Sequence, residues 1–389
     1  MQLQLYLHFP FCKWKCSYCD FVSFVAPKEA MKEYGALLEK EIRIRSAQYG
    51  RADIVSVFLG GGTPSVMPMR AMEGVLSALH ACFHISRETE FSVEANPGTI
   101  TDEWLALMRE HGMNRLSLGV QASQDRLLEE LGRIHRIKDT RDSVFMARKR
   151  GVKNLNLDVM FGLPGQGIKD YQETLDMVRA LRPEHVSAYG LVMEAETPLS
   201  RKVEQGLCCL PADDAVADMA ELGTARLAEY GYERYEISNY AMPGYRCKHN
   251  VGYWQGTWYM GIGLAAHSML PCGDGTAAYL RVENTEDWKT YRLAIESNEP
   301  PVRRMDVVRG KEAMFETMML GLRTVMGVNE KAFLQRHGIG VSLVYGEVLA
   351  RLVGEGLGQW IDDLNNGRSF ALTGKGLQLQ NAVLLQFMP

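Results

Sequence analysis

Between Leu3 and Leu191, short runs rich in β-branched and aromatic residues alternate with longer segments of helical period, and this alternation restricts the available folds more than any other feature. Six strands are predicted: Leu3 to Phe9, Ile54 to Leu59, Glu90 to Ala95, Arg115 to Val120, Asn154 to Met160 and His185 to Leu191. The stretches between them carry helix stripes. Tyr171, Leu175, Val178 and Leu181, for example, recur at the spacing by which a helix packs on a sheet. Parity within the strands says more. Ser92 and Glu94 oppose Phe91 and Val93; Arg115, Ser117, Gly119 and Gln121 oppose Leu116, Leu118 and Val120; Asn154, Asn156 and Asp158 oppose Leu155, Leu157 and Val159. A parallel sheet covered on both sides should be apolar on both faces. One systematically polar face therefore implies strands that curl around a wet or ligand-filled lumen. The expected fold is α/β, an open partial TIM barrel of about six βα units, fewer than the eight of a closed barrel.

A barrel of this size leaves part of the 389 residues over. A helical stretch from Ala212 to Tyr230 completes a barrel unit assigned to residues 1–230. Residues 231–305 form a connecting segment whose Tyr/Gly-rich start, Tyr232 to Leu270, has no clear period and is expected to flank the barrel mouth. Residues 306–389 read as a mainly helical, winged-helix-like C-terminal domain with a strand at Ser369 to Thr373. Hydrophobic residues at 46 % and charged residues at 23 % suit a globular protein. With Lys plus Arg at 43 against Asp plus Glu at 47, the chain lacks the overall basic bias of a nonspecific nucleic-acid binder. That acidity also opposes a nucleic-acid regulator built on the tail. No apolar run reaches the ~20 residues of a membrane span, and MQLQLYLHFPFC reads as a strand and not as a signal peptide.

Eight cysteines are too few for a disulfide scaffold, yet three of them, Cys12, Cys16 and Cys19, fall within HFPFCKWKCSYCDF just past the first strand. This points to a reduced compartment, the cytoplasm, and to a metal or cluster role. Three thiolates can ligate three irons of a cubane and leave the fourth open. Structural zinc needs a fourth ligand, for which His8 is the nearest offer. FLGGGTPS, Phe58 to Ser65, follows the second strand, and its glycines would let backbone N–H groups approach a ligand. Glu94, Gln121, Arg133 and Asp158 lie at or beyond the ends of strands three to five, the rim where barrel enzymes assemble their sites.

The C-x3-C-x2-C loop, with an aromatic (Tyr18) before its third cysteine, resembles that of the radical S-adenosylmethionine (SAM) superfamily. EANPGT (94–99), RLSLGVQ (115–121), LGRIH (131–135) and NLDVMFGLPGQ (156–166) resemble its HemN-type, coproporphyrinogen-related family, over residues 1 to about 270 and more loosely in the tail. The resemblance implies a 4Fe-4S cluster on the three cysteines, with SAM chelating its open iron. It also implies SAM contacts at Tyr6, Gly61, Gly62, Thr63, Glu94, Gln121, Arg133 and Asp158, and Tyr18 is counted among the cofactor-binding positions.

Two features separate this chain from coproporphyrinogen dehydrogenases. Phe21 stands where those enzymes carry a further cysteine, and HNVGYW, His249 to Trp254, is similar to the HNxxYW signature of the HemW branch. That branch is described as haem chaperones that deliver haem to acceptors. The partners so implied are haem, a haem-acceptor protein and a reductant for the cluster, with no nucleic acid and no transmembrane segment; peripheral membrane contact is left open. Tyr240 to Tyr259 supplies aromatics and a candidate axial ligand, His249, which reads equally as a hydrogen-bonded packing residue. Cys247, His267 and Tyr189 are lesser candidates. No residue is assigned a catalytic role, and the competing function is a radical SAM oxidoreductase acting on a porphyrinogen or haem.

Overall fold

The computed structural model describes residues 2–49, 52–273, 278–363 and 367–389. Six parallel strands, β1 (Gln2–Phe9), β2 (Asp53–Gly61), β3 (His84–Ala95), β4 (Arg115–Gln121), β5 (Asn154–Phe161) and β6 (His185–Gly190), pair in sequence order. The intervening helices are α1 (Lys28–Tyr49), α2 (Met69–Cys82), α3 (Asp102–Glu110), α4 (Asp125–Glu130), α5 (Ile137–Lys149) and α6 (Ile168–Leu181), and after β6 come α7 (Pro198–Glu204) and α8 (Asp213–Glu229). The result is the open partial barrel that the alternation predicts. Its apolar parity supplies the core: Leu3, Leu5, Leu7 and Phe9 of β1 and Leu116, Leu118 and Val120 of β4 are fully buried beneath the helices. The opposite parity, Gln4, Tyr6 and His8 or Ser92 and Glu94, turns into the lumen.

The stretch from Tyr232 to Leu270 is more regular than its lack of period suggests. It holds β7 (Glu233–Arg234), β8 (Asn239–Ala241), α9 (Lys248–Gln255), β9 (Tyr259–Ile262) and β10 (His267–Pro271). β8 pairs antiparallel with β6, while β9 pairs parallel with β1, so the segment crosses from one edge of the barrel to the other. Because Ala241 pairs with His185 and Tyr259 with Gln4, the crossing is made beneath the N-terminal ends of the strands. The expectation that this segment flanks the mouth is thus corrected: α9 closes the floor. Strands this short cannot show period two over enough residues to be read.

β11 (Tyr279–Asn284), α10 (Trp288–Glu296) and β12 (Val302–Val308) then extend the sheet to twelve strands. Beyond them α11 (Gly310–Gly321), β13 (Val328–Asn329), α12 (Glu330–His337), α13 (Val341–Gly354), β14 (Gly358–Asp363) and β15 (Gly367–Leu372) enclose a second core built on Met318, Leu322, Phe333, Leu352 and Phe370. Among the described residues no helix is long and apolar enough to cross a membrane.

Candidate functional site

The cysteine loop springs from β1 and is tied at its base: Cys12 N donates to Phe24 O at 3.0 Å and Phe24 N to Pro10 O at 2.8 Å. Its far side is held by LGRIH, where Ser17 N donates to Leu131 O at 3.0 Å. Gly132 has φ +70°, and a Cβ there would lie 3.3 Å from Ser17 N, so the conformation and the close approach both call for glycine. Cys12 is buried, Cys16 and Cys19 are half-buried, and all three are free thiols. Burial pushes the Cys16 and Cys19 thiols up; the Arg133 guanidinium opposes this at Cys16. A structural zinc would need a fourth ligand beside the three thiols. His8 is not available as a fourth ligand. Its Nδ1 lies 3.1 Å from Tyr6 Oη and its Nε2 2.8 Å from Val22 O.

The glycine turn differs from the expectation in which of its groups it offers. Gly61 N donates to Glu94 Oε2 at 3.2 Å, Gly62 N to Phe9 O at 2.8 Å and Thr63 N to Phe11 O at 2.7 Å. All three N–H groups are engaged within the protein. A Cβ on Gly62 would sit 2.6 Å from Phe11 O, so these glycines let the turn lie flush against the cysteine loop. The acceptor that an ammonium group arriving here would meet is Glu94. Burial, then the neighbouring Asp158, raises the Glu94 carboxyl to about 8, a group that regains its charge once a cation replaces the missing solvation.

Around this pair the mouth is knitted by polar side chains. Arg133 donates to Asn96 Oδ1 at 2.6 Å and to Tyr18 Oη at 2.7 Å, and Asn96 Nδ2 donates to Thr63 Oγ1 at 2.9 Å. Thr63 Oγ1 in turn lies 3.6 Å from Cys12 Sγ. Asp158 accepts from Ser117 Oγ at 3.1 Å and Asn156 Nδ2 at 2.7 Å, and Tyr189 also bonds to it. Gln121 adopts φ +68°, a conformation rare outside glycine and asparagine, and its Oε1 is buried without a partner, as is Arg133 Nε. Tyr6, Tyr18, Gly61, Gly62, Thr63, Glu94, Gln121, Arg133 and Asp158 therefore all line or support one end of the lumen. Asn96 and Tyr189 complete the network; Asn96 lies inside the quoted EANPGT motif, but only its two hydrogen bonds single it out.

Residues 6–178 match the radical SAM superfamily and residues 308–379 the HemN C-terminal domain. The chain is 35 % identical over 385 residues to the heme chaperone HemW of Bacillus subtilis (strain 168), covering 98 % of both. It belongs to the HemW family. The heme chaperone HemW of Escherichia coli (strain K12) is 36 % identical over 274 residues, 70 % of this chain and 71 % of its own. The solved structure of the radical SAM coproporphyrinogen III oxidase HemN from Escherichia coli superposes with a TM-score of 0.84 over 99 % of this chain and 89 % of its own, at 23 % identity, and so shares the fold. Membership in the superfamily implies a 4Fe-4S cluster and SAM. The mouth fits both: three thiols on one loop, a cation-seeking carboxyl, and orphaned polar atoms at Gln121 and Arg133.

The HNVGYW stretch of this HemW-type chain lies at the other end. Glu90 accepts from Lys248 N at 2.8 Å, His249 N at 3.0 Å and Cys247 Sγ at 3.3 Å, which anchors the first turn of α9 on the barrel floor. His249 is 1 % exposed; its Nδ1 lies 2.9 Å from Ser56 Oγ, and its ring stacks on Phe58 at 5.0 Å and meets Tyr253 edge-on at 4.7 Å. Burial lowers its pKa to about 3. Of the two readings open from sequence, the structure shows a packed histidine and not one lining an open slot; Cys247 is likewise fully buried. His249 Nε2 has no hydrogen-bond partner.

Proposed function

We propose that this chain carries haem and passes it to an acceptor protein, with a 4Fe-4S cluster on Cys12, Cys16 and Cys19 and SAM at the barrel mouth. The observation that carries this reading is the near full-length similarity to HemW, since it spans the barrel, the connecting segment and the C-terminal domain together. When bound, the cluster supplies an electron to the SAM sulfonium. The protein's own part is positioning. Glu94 receives the methionyl ammonium, and the Arg133–Asn96–Tyr18 network holds the cysteine loop against the glycine turn. Phe21, 62 % exposed, takes the place of the extra cysteine of the coproporphyrinogen dehydrogenases.

The axial-ligand reading of His249 is the alternative to a haem held outside the lumen, because the imidazole faces Phe58 and Ser56 and reaches an iron only if α9 is displaced. Its imidazole is neutral and Nε2 has no partner among the described residues, but Glu90 holds the first turn of α9 in place and must release it first. Cytoplasmic placement is supported by the free cysteines, none of them disulfide-bonded. The fully equipped mouth keeps a second reading in view, radical chemistry on a porphyrinogen or haem. Anaerobically reconstituted protein, assayed in parallel for haem binding by absorbance, haem transfer to an apo-haemoprotein, and coproporphyrinogen decarboxylation, separates the two. Binding and transfer without decarboxylation is expected; stoichiometric formation of protoporphyrinogen would overturn the chaperone reading.

A further inference from the structure

HNVGYW has two sides. His249 and Trp254 stand five residues apart on α9, roughly 140° around the helix, so the histidine faces the lumen while the tryptophan faces outward. What Trp254 faces is a cleft of about 900 Å3 between the C-terminal turn of α9 and the C-terminal domain. This is at the large end of the ~300 to 1,000 Å3 typical of sites for compact organic ligands. The cleft is built from fixed parts. Arg336 Nη1 donates to Gly256 O at 3.2 Å, and its guanidinium lies 5.3 Å from the Trp258 ring and 5.6 Å from that of Tyr279. Gly256 caps α9 at φ +68°, and a Cβ there would strike Arg336.

We infer that this cleft is the haem-docking site, on the outer face of the signature helix and at the opposite end of the barrel from the cluster; the inference rests on the haem-carrying reading above. The chemistry of the walls commits to such a guest. Trp254, Met326 and Ile361 offer apolar and aromatic surface, with Ile361 exposed to 37 %. Two cations, Lys331 and Arg336, flank it, against one lining carboxylate among the described residues, Asp363. A flat apolar macrocycle with two carboxylates at one edge satisfies both sets of groups. A polyanion without an apolar face would leave the first set uncovered, and an uncharged apolar guest would ignore the second.

The test is a haem titration of the anaerobically reconstituted full chain, followed by its absorbance and by amide hydrogen exchange. Lys331→Glu reverses a wall charge, and Ala332→Trp fills the cleft from an exposed helix position. Lys149→Glu, on exposed α5 and away from the cleft, controls for net charge. Both cleft variants should raise the haem Kd about tenfold or more, the control should not, and haem should slow exchange over residues 254–257 and 325–336. Wild-type affinity in both cleft variants, with protection at the cysteine loop instead, would place haem at the mouth and end the cleft assignment while leaving the haem-carrying reading intact. A wild-type protein that binds no haem at all would end that reading itself.

Discussion

The two ends of the barrel lumen are built from the same polar parity but are finished differently. At the floor, Gln4, Ser56, Glu90, Asn156, His185 and His249 are all buried, and a helix seals them in. Both nitrogens of His185 are engaged, with Asn156 Oδ1 at 2.6 Å and Tyr235 Oη at 2.8 Å, and Glu90 takes three donors from the start of α9. At the mouth, Tyr6, Gly61, Glu94, Arg133 and Asp158 remain half-buried, and Gln121 sits in a strained conformation. Polar lumen residues thus serve two ends. Below they join the barrel to the segment that crosses it, and above they wait for ligands. The difference predicts that substitutions at the mouth remove cofactors and leave the fold, whereas substitutions at the floor weaken the fold and leave the cofactors.

The largest effect should come from the cysteine loop. Replacing Cys16 with Ala should abolish the visible absorbance of the cluster and the SAM-induced change in its EPR spectrum, because a cubane with two protein ligands is poorly held. Cys82→Ala, on α2, should leave both signals. The melting temperature of the cluster-free Cys16 variant should stay close to that of the wild type, since Cys16 is half-buried in a loop outside the barrel core. A full complement of four irons and four sulfides in the Cys16 variant would break the assignment of the mouth.

At the floor the expected order reverses. His249→Ala removes a ring packed between Phe58 and Tyr253 and one of the two hydrogen bonds of the Ser56 hydroxyl, a loss of about 2 to 4 kcal/mol by the usual cost of buried large-to-small changes. Chemical denaturation of the two proteins measures it directly. Cluster content and SAM affinity at low temperature should match the wild type. Loss of the cluster in a His249 variant that is otherwise folded would show that the two ends are coupled, and would break the comparison.

How much of this was legible in the sequence follows the length of the signal. Strands β1 to β6 could be read because each alternates over six or more residues and recurs six times; their predicted bounds lie within two residues of those observed, except at the start of β3, which begins at His84 and bends in to pair with β2 only in part. β7 to β9, of two to four residues, carry no period to detect. Tyr6 and Tyr18 were reachable only through the motif resemblance, whereas Glu94, Gln121 and Asp158 could be assembled because they sit at or near the ends of readable strands. The floor could not: Glu90 and His249 are 159 positions apart, and nothing local in HNVGYW says which way α9 turns its histidine. The partners of the glycine-turn N–H groups were out of reach for a similar reason, since Phe9 O and Phe11 O belong to another strand and loop.

A smaller change at the mouth should touch SAM alone. Glu94→Gln removes a charge-assisted contact worth about 1.5 to 3 kcal/mol, so the dissociation constant for SAM should rise by about one to two decades while the iron content holds. Equilibrium binding to the reconstituted protein reads this out, and an unchanged affinity would move the ammonium site away from Glu94.

The smallest effect is a pair of opposite pH slopes in the stability of the ligand-free protein. Glu94, raised from 4.5 to about 8 first by burial and then by Asp158, keeps its proton in the folded state after the unfolded chain has lost it. Its contribution is complete below 4.5 and is lost as pH rises through 8, so stability falls with pH in that window. His249, lowered from 6.5 to about 3 by burial and then by Arg115, behaves in the opposite sense. The unfolded chain takes up a proton below 6.5 that the folded state refuses, so its contribution is present above 6.5 and is lost as pH falls toward 3. Thermal melts across pH 4 to 9 should therefore show Glu94→Gln gaining on the wild type by a few degrees as pH rises. His249→Asn, which keeps a polar side chain without the titration, should close its deficit toward the acid end. Parallel melting curves for the two variants at every pH would mean that neither group is held neutral by the lumen, and that the two ends are alike in their access to water.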